Sequence, residues 1–229
     1  MKVTFNNNVI ETKEGTTVSK LLKKEIENNQ YQVVACRYNN EYMNLETEIN
    51  ENAKVELIDT HSKEGMKVYV RTLVYIMGKA FESLYPQEKL MVEYQLGNAM
   101  FCRCDNLKIA EEFIQKLKSK MQDIIDKNLK IKKVVMNREE AEKFFKETHT
   151  SKGKLQIDLE NNNEIYIYYC EKYFNYCYGV LANRTGIIDK FDIIEYHNGF
   201  LIRYPSSKNP TELPEFKETK KLAWALEEF

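Results

Sequence analysis

Eight side chains in this 229-residue sequence could bind a transition metal through sulfur or imidazole, or act as a nucleophile or base: Cys36, Cys102, Cys104, Cys170, Cys177, His61, His149 and His197. Their spacing argues against such roles. A zinc site needs three or four ligands brought together, usually as Cys-x-x-Cys pairs or as histidines four apart on a helix, and neither pattern occurs. The cysteines are odd in number and unevenly spaced in apolar, strand-like contexts, so free buried thiols are expected. The histidines fall in loops or at strand ends. A phosphate-binding Gly-x-x-x-x-Gly-Lys-Ser/Thr loop is also missing. Gly78-Lys79-Ala80 and Gly153-Lys154-Leu155 lack both the upstream glycine and the following hydroxyl. No Gly-x-Gly-x-x-Gly or Gly-x-Ser-x-Gly is present. The residues therefore predict no catalytic group, no metal site and no cofactor in this chain.

Composition narrows the class. The 34 Lys+Arg against 35 Asp+Glu give a net charge of −1. Proteins that hold many nucleic-acid phosphates usually carry a basic excess. The first sixty residues are more acidic still, with seven Lys or Arg against ten Asp or Glu, so nucleic acid is disfavoured as a partner. With 43% hydrophobic residues, 8 Gly and 4 Pro the composition is that of an ordered globular protein. No apolar run is long enough for a membrane helix, and the first residues lack a signal-peptide pattern, so a cytoplasmic location is expected.

Residues 1–60 read strand, strand, helix, strand, strand. Asn6-Asn7-Asn8 turns a hairpin, Thr17 caps a helix bearing Val18, Leu21, Leu22 and Ile26, and strands follow at 32–37 and 54–58. That order is the plan of a ubiquitin-like β-grasp. A long helix over 67–85, apolar on most of its circumference, opens a second unit. Strands at 90–94 and 99–104, a helix capped by Asn106, and a strand at 131–136 come next. Asn137 and Glu140 then form a capping-box start for a short helix. Strands are expected at 155–159, 164–169 and 191–204, the last broken at Asn198-Gly199. The expected class is α+β throughout.

The run Glu64-Gly65-Met66-Lys67-Val68-Tyr69-Val70-Arg71-Thr72-Leu73-Val74-Tyr75-Ile76, continuing to Leu84-Tyr85-Pro86, resembles the start of the editing domain of threonyl-tRNA synthetases. Asn175-Tyr176-Cys177-Tyr178-Gly179-Val180-Leu181, leading to Thr185-Gly186, resembles the second signature of that domain. The resemblance implies a β-grasp TGS domain over 1–60 followed by an editing-like domain over 61–205. It also implies a four-point metal and catalytic cluster, for which the family supplies two histidines four apart and then a cysteine and a histidine. Here those positions hold Arg71, Tyr75, Cys177 and Leu181. Arginine does not ligate metals and leucine has no lone pair, so the scaffold reads as kept and the hydrolytic centre as lost.

The string Phe191-Asp192-Ile193-Ile194-Glu195-Tyr196-His197-Asn198-Gly199-Phe200-Leu201-Ile202-Arg203-Tyr204-Pro205, with Leu213-Pro214-Glu215-Phe216 and Lys221-Leu222, resembles the N-terminal half of bacterial nucleoside kinases of the uridine kinase type. In those proteins a TGS domain and a histidine-free editing-like domain precede a P-loop domain. Residues 206–229 then read as a linker and the start of a helix toward a P-loop kinase domain in cis, and ATP and Mg belong to that missing domain. The expected function is a non-catalytic regulatory or ligand-binding region. The alternatives are a free-standing tRNA-editing deacylase and an RNA- or ribosome-binding adaptor. The candidate pocket comprises Arg71, Tyr75, Cys177, Asn183, Thr185, Gly186 and Arg203. It would take a nucleoside, nucleotide or amino-acid-like ligand, with Arg71 as a cationic fork and Tyr75 as a stacking face. Packing, turn chemistry or an internal ion pair could account for the same residues.

Overall fold

The computed structural model describes residues 1–147 and 164–216. The first unit contains β1 (Lys2–Phe5), β2 (Asn8–Glu11), β3 (Thr16–Thr17), α1 (Val18–Leu21), α2 (Lys23–Glu27), β4 (Val33–Tyr38), β5 (Glu41–Met43), β6 (Glu48–Ile49) and β7 (Ala53–Asp59). Asn6 and Asn7 adopt positive φ of 47° and 63°, which makes the β1–β2 turn tight. The Thr17 side chain accepts from the Lys20 amide and caps α1. The main sheet runs β2-β1-β7-β4-β5, with β1 and β7 parallel, and Val3, Val18, Leu22, Ile49 and Val55 fill the space between sheet and helix. This is the β-grasp arrangement.

The second unit opens with α3 (Lys63–Leu84). The helix starts four residues before the sequence pattern suggests, because Ser62 caps it: its Oγ accepts from the Gly65 amide at 3.0 Å and donates to the Asp59 carbonyl at 2.8 Å. Ser62→Ala should cost about 1 kcal/mol, measurable by urea unfolding. Gly65 belongs to the same joint, since a Cβ there would lie 1.8 Å from the Asp59 carbonyl oxygen. Leu73, Ile76, Met77 and Ala80 are fully buried, so α3 forms the axis of the unit.

β8 (Met91–Gln95), β9 (Ala99–Arg103), α4 (Glu111–Asp126), β10 (Lys132–Asn137) and α5 (Arg138–Glu147) follow, then β11 (Glu164–Cys170), β12 (Tyr173–Tyr176), a short 3-10 turn (Thr185–Ile187), β13 (Asp192–Tyr196) and β14 (Gly199–Arg203). Asn106 does not cap α4. Its amide bonds Glu88, and α4 begins after Ala110 with Glu111 and Glu112 facing the positive end of the helix dipole. The capping box at Asn137 and Glu140 is present in both directions, each bond 2.9 Å. One sheet runs β13-β14-β9-β8 and a second runs β10-β11-β12. α3 passes between them and α4 packs along it. The strand expected at 155–159 and the helix expected from 220 lie outside the described residues, as does His149.

Candidate anion-binding site

Residue pairing across β10 and β11 sets two faces. Lys133 lies opposite Tyr168, and Ile167 opposite Tyr176. Ile165 and Ile167 point toward α5, whereas Tyr168 and Cys170 point toward α3. On that inner side Tyr75, Tyr168, Tyr173, Ile131 and Leu181 form a buried cluster with Cys170, and Cys177 packs at its edge. The Tyr75 hydroxyl donates to the Tyr168 carbonyl at 3.0 Å, and its ring meets Tyr173 edge-on at 5.1 Å. Tyr75 is thus a plug: 4% exposed and hydrogen-bonded inward. Leu181, fully buried, fills the neighbouring position.

Arg71, one helical turn before Tyr75, is half-buried at the rim. Its guanidinium lies against Gly179, where a Cβ would come within 2.9 Å of Nη1 and where φ is +86°. Both observations favour glycine at that position. Arg71 also lies close enough to Cys177 and Tyr168 to stabilise their ionised forms. Among the described residues the guanidinium forms no hydrogen bond and no ion pair. Five N–H donors in a partly desolvated position without an acceptor are costly unless an anion arrives.

Burial pushes the Cys177 thiol up to about 11, with Arg71 pulling the other way. The thiol is therefore protonated at neutral pH and a poor nucleophile. Alkylation of Cys177 by iodoacetamide should accelerate roughly tenfold per pH unit between pH 8 and 10. Arg71→Gln should slow it at any fixed pH in that range, because losing the cation raises the thiol further. Mass spectrometry of the Cys177 peptide checks both.

The segment after Gly179 is held from several sides. The Tyr168 hydroxyl donates to the Gly179 carbonyl at 2.8 Å, and Thr72 Oγ1 accepts from the Ala182 amide at 2.9 Å. From the first unit, Asn44 donates to the Leu181 carbonyl at 3.0 Å, and Glu46 accepts from the Asn183 side chain at 2.9 Å.

Of the seven candidate pocket residues, the structure brings Arg71, Tyr75 and Cys177 together around Tyr168. Asn183 is turned toward Glu46, between the two units. Thr185 is fully buried and ties α4 to the next segment, accepting from the Leu129 amide and donating to the Ile124 carbonyl, both at 2.8 Å. Gly186 packs against the Asn128 side chain. Arg203 is ion-paired with Asp192 at 3.2 Å and donates to the Pro214 carbonyl. The last three therefore have internal packing or bonding duties away from Arg71. His61 bonds the Ser207 carbonyl and stacks on Tyr31, and His197 occupies the β13–β14 turn. Among the described residues no three His, Cys, Asp or Glu groups converge as a metal ion would require. No described helix is long and apolar enough to cross a membrane.

The alternation of tyrosine with isoleucine over 165–168 reads as a half-buried strand whose tyrosines either stack on a base or pack, and the structure makes Tyr168 a buried shared wall. Sequence reasoning passed over Lys133 beside it.

Residues 3–61 match the ThiS family. A protein of Enterocytozoon bieneusi named probable threonine–tRNA ligase, cytoplasmic, is 31% identical over 199 residues, covering 84% of this chain and 30% of that relative. The threonine–tRNA ligase of Clostridium tetani is 28% identical over 188 residues, covering 81% and 29%. The corresponding protein of Encephalitozoon cuniculi is 21% identical over 210 residues, covering 91% and 32%. The chain thus spans about a third of the length of the curated relatives it matches. It opens with a ThiS-like ubiquitin-fold unit and, over most of its length, is homologous to the N-terminal region of threonine–tRNA ligases.

Proposed function

We propose that this chain is a tRNA-ligase-related binding region that holds the 3′ end of a tRNA, charged or uncharged, without hydrolysing it. The observation that carries the reading is the half-buried, unpartnered guanidinium of Arg71 beside Cys177, Tyr168 and Gly179. A terminal phosphodiester supplies the anion that Arg71 lacks. Ester hydrolysis needs a base or a metal-activated water near the carbonyl. Here the nearest candidate is a protonated thiol, and the histidine positions of the resembled family hold arginine, tyrosine and leucine. Balanced net charge limits the contact to a local one. Filter retention of tRNA(Thr) by the full chain tests the reading: retention at low salt that falls as salt rises supports it, and no retention at any salt removes it.

A second reading rests on the string from Phe191 to Pro205 and its resemblance to nucleoside kinases. In it, the same region serves as a non-catalytic module beside a P-loop domain that supplies ATP and Mg chemistry. Calorimetric titration with uridine addresses it: binding that depends on Arg71 favours this reading if tRNA is not retained.

A further inference from the structure

A cavity of about 420 Å³ opens between the two units, within the size range of small-molecule sites. The first unit contributes Met43, Asn44, Glu46 and Thr47 to its wall, and the second contributes Ile131, Tyr168, Val180 and Asn183. Three lysines complete it, Lys130, Lys132 and Lys133. None of the three pairs with a carboxylate among the described residues. By contrast, Lys79, Lys116, Lys118 and Lys127 elsewhere in this unit are all ion-paired. The one acidic residue in the wall is already engaged: Glu46 Oε1 accepts from Ser19 and from Asn183, each at 2.9 Å.

Lys133 is the best placed of the three. It stands opposite Tyr168 on the inner side of the sheet, and its ammonium lies 3.8 Å from the centre of the Tyr166 ring. Burial lowers its pKa, while Glu41 and Glu164 act on it in the opposite sense from beyond bonding distance. A partly desolvated ammonium held over an aromatic face, beside an apolar floor of Met43, Ile131 and Val180, is suited to a ligand with an anionic head and a flat ring.

We propose that this inter-unit cavity is a binding site for a phosphate-bearing aromatic ring, a mononucleotide by chemical class, with Lys133 taking the phosphate and the ThiS-like unit supplying one wall. Asn44 and Glu46 then act as positioning residues: they hold the Leu181 carbonyl and the Asn183 side chain at the cavity wall. The site stands on Lys133 and the cavity, independently of tRNA retention at Arg71.

Calorimetry on the full chain with adenosine and uridine 5′-monophosphates, the two nucleosides and inorganic phosphate provides the test. At least one monophosphate should bind with a dissociation constant of about 1 mM or tighter. Its nucleoside, and phosphate alone, should bind about tenfold more weakly, and Lys133→Gln should lose about tenfold. Arg71→Gln should change that affinity less than about twofold. Three results would overturn the proposal: no binding of either monophosphate, equal binding by Lys133→Gln, or loss through Arg71→Gln alone, which would place the ligand at the rim instead. Because Lys133 is exposed along much of its length and bears no hydrogen bond, its substitution should leave the unfolding midpoint in place. A shifted midpoint would assign Lys133 to stability rather than binding.

Discussion

Arg71→Gln is expected to weaken retention of an anionic ligand by about tenfold or more while leaving the fold as stable as before, or stabler by up to about 1 kcal/mol. Most functional arginines are also structural, and their loss moves both quantities downward. Here the guanidinium forms no hydrogen bond or ion pair among the described residues, so truncating it removes a desolvated charge and loses only its packing against Gly179. The opposed signs are the diagnostic feature. Filter retention measures one and urea unfolding the other. A loss of stability together with binding would mean that Arg71 is a strut.

Tyr75→Ala is expected to destabilise the chain by about 4 kcal/mol, the scale for removing a buried aromatic ring. Tyr75→Phe should cost only about 1 kcal/mol, for one hydrogen bond to the Tyr168 carbonyl. The large difference follows from position. The ring is 4% exposed and packed against Tyr173, at a place where the resembled editing domains carry a catalytic or metal-binding histidine. Urea titration of both variants decides it. A small effect from Tyr75→Ala would show that the ring lines an open pocket rather than filling a closed one.

Local chemistry made much of this fold legible. Asn6 and Asn7 tolerate positive φ, Thr17 caps a helix, and Asn137 with Glu140 closes a capping box, all within a few residues of sequence. Part of what escaped the reading was equally local: α3 begins at Lys63 because Ser62 bonds both Asp59 and Gly65, a cap that the apolar spacing from Lys67 onward does not contain. Other features were decided at longer range. Asn106 looked like a cap, yet its amide is drawn to Glu88, eighteen residues earlier.

The site divides the same way. Arg71 and Tyr75 could be placed on one helix face from their spacing, and the resemblance brought Cys177 to them. Spacing could not tell that Thr185 would spend its hydroxyl on α4, or that Arg203 would pair with Asp192. Nor could it reveal Lys133: a lysine among four in the seven residues 127–133 becomes distinctive only when its neighbours are seen to leave it unpaired.

The central claim is that the scaffold binds and does not cleave. Its most direct test is incubation of the full chain with tRNA(Thr) carrying labelled serine, following label on the filter and label released in one time course. The account predicts charged tRNA that stays bound and loses serine no faster than in buffer, with the retained fraction falling in Arg71→Gln. Release of serine in proportion to protein concentration would contradict it, and so would equal retention by wild type and Arg71→Gln.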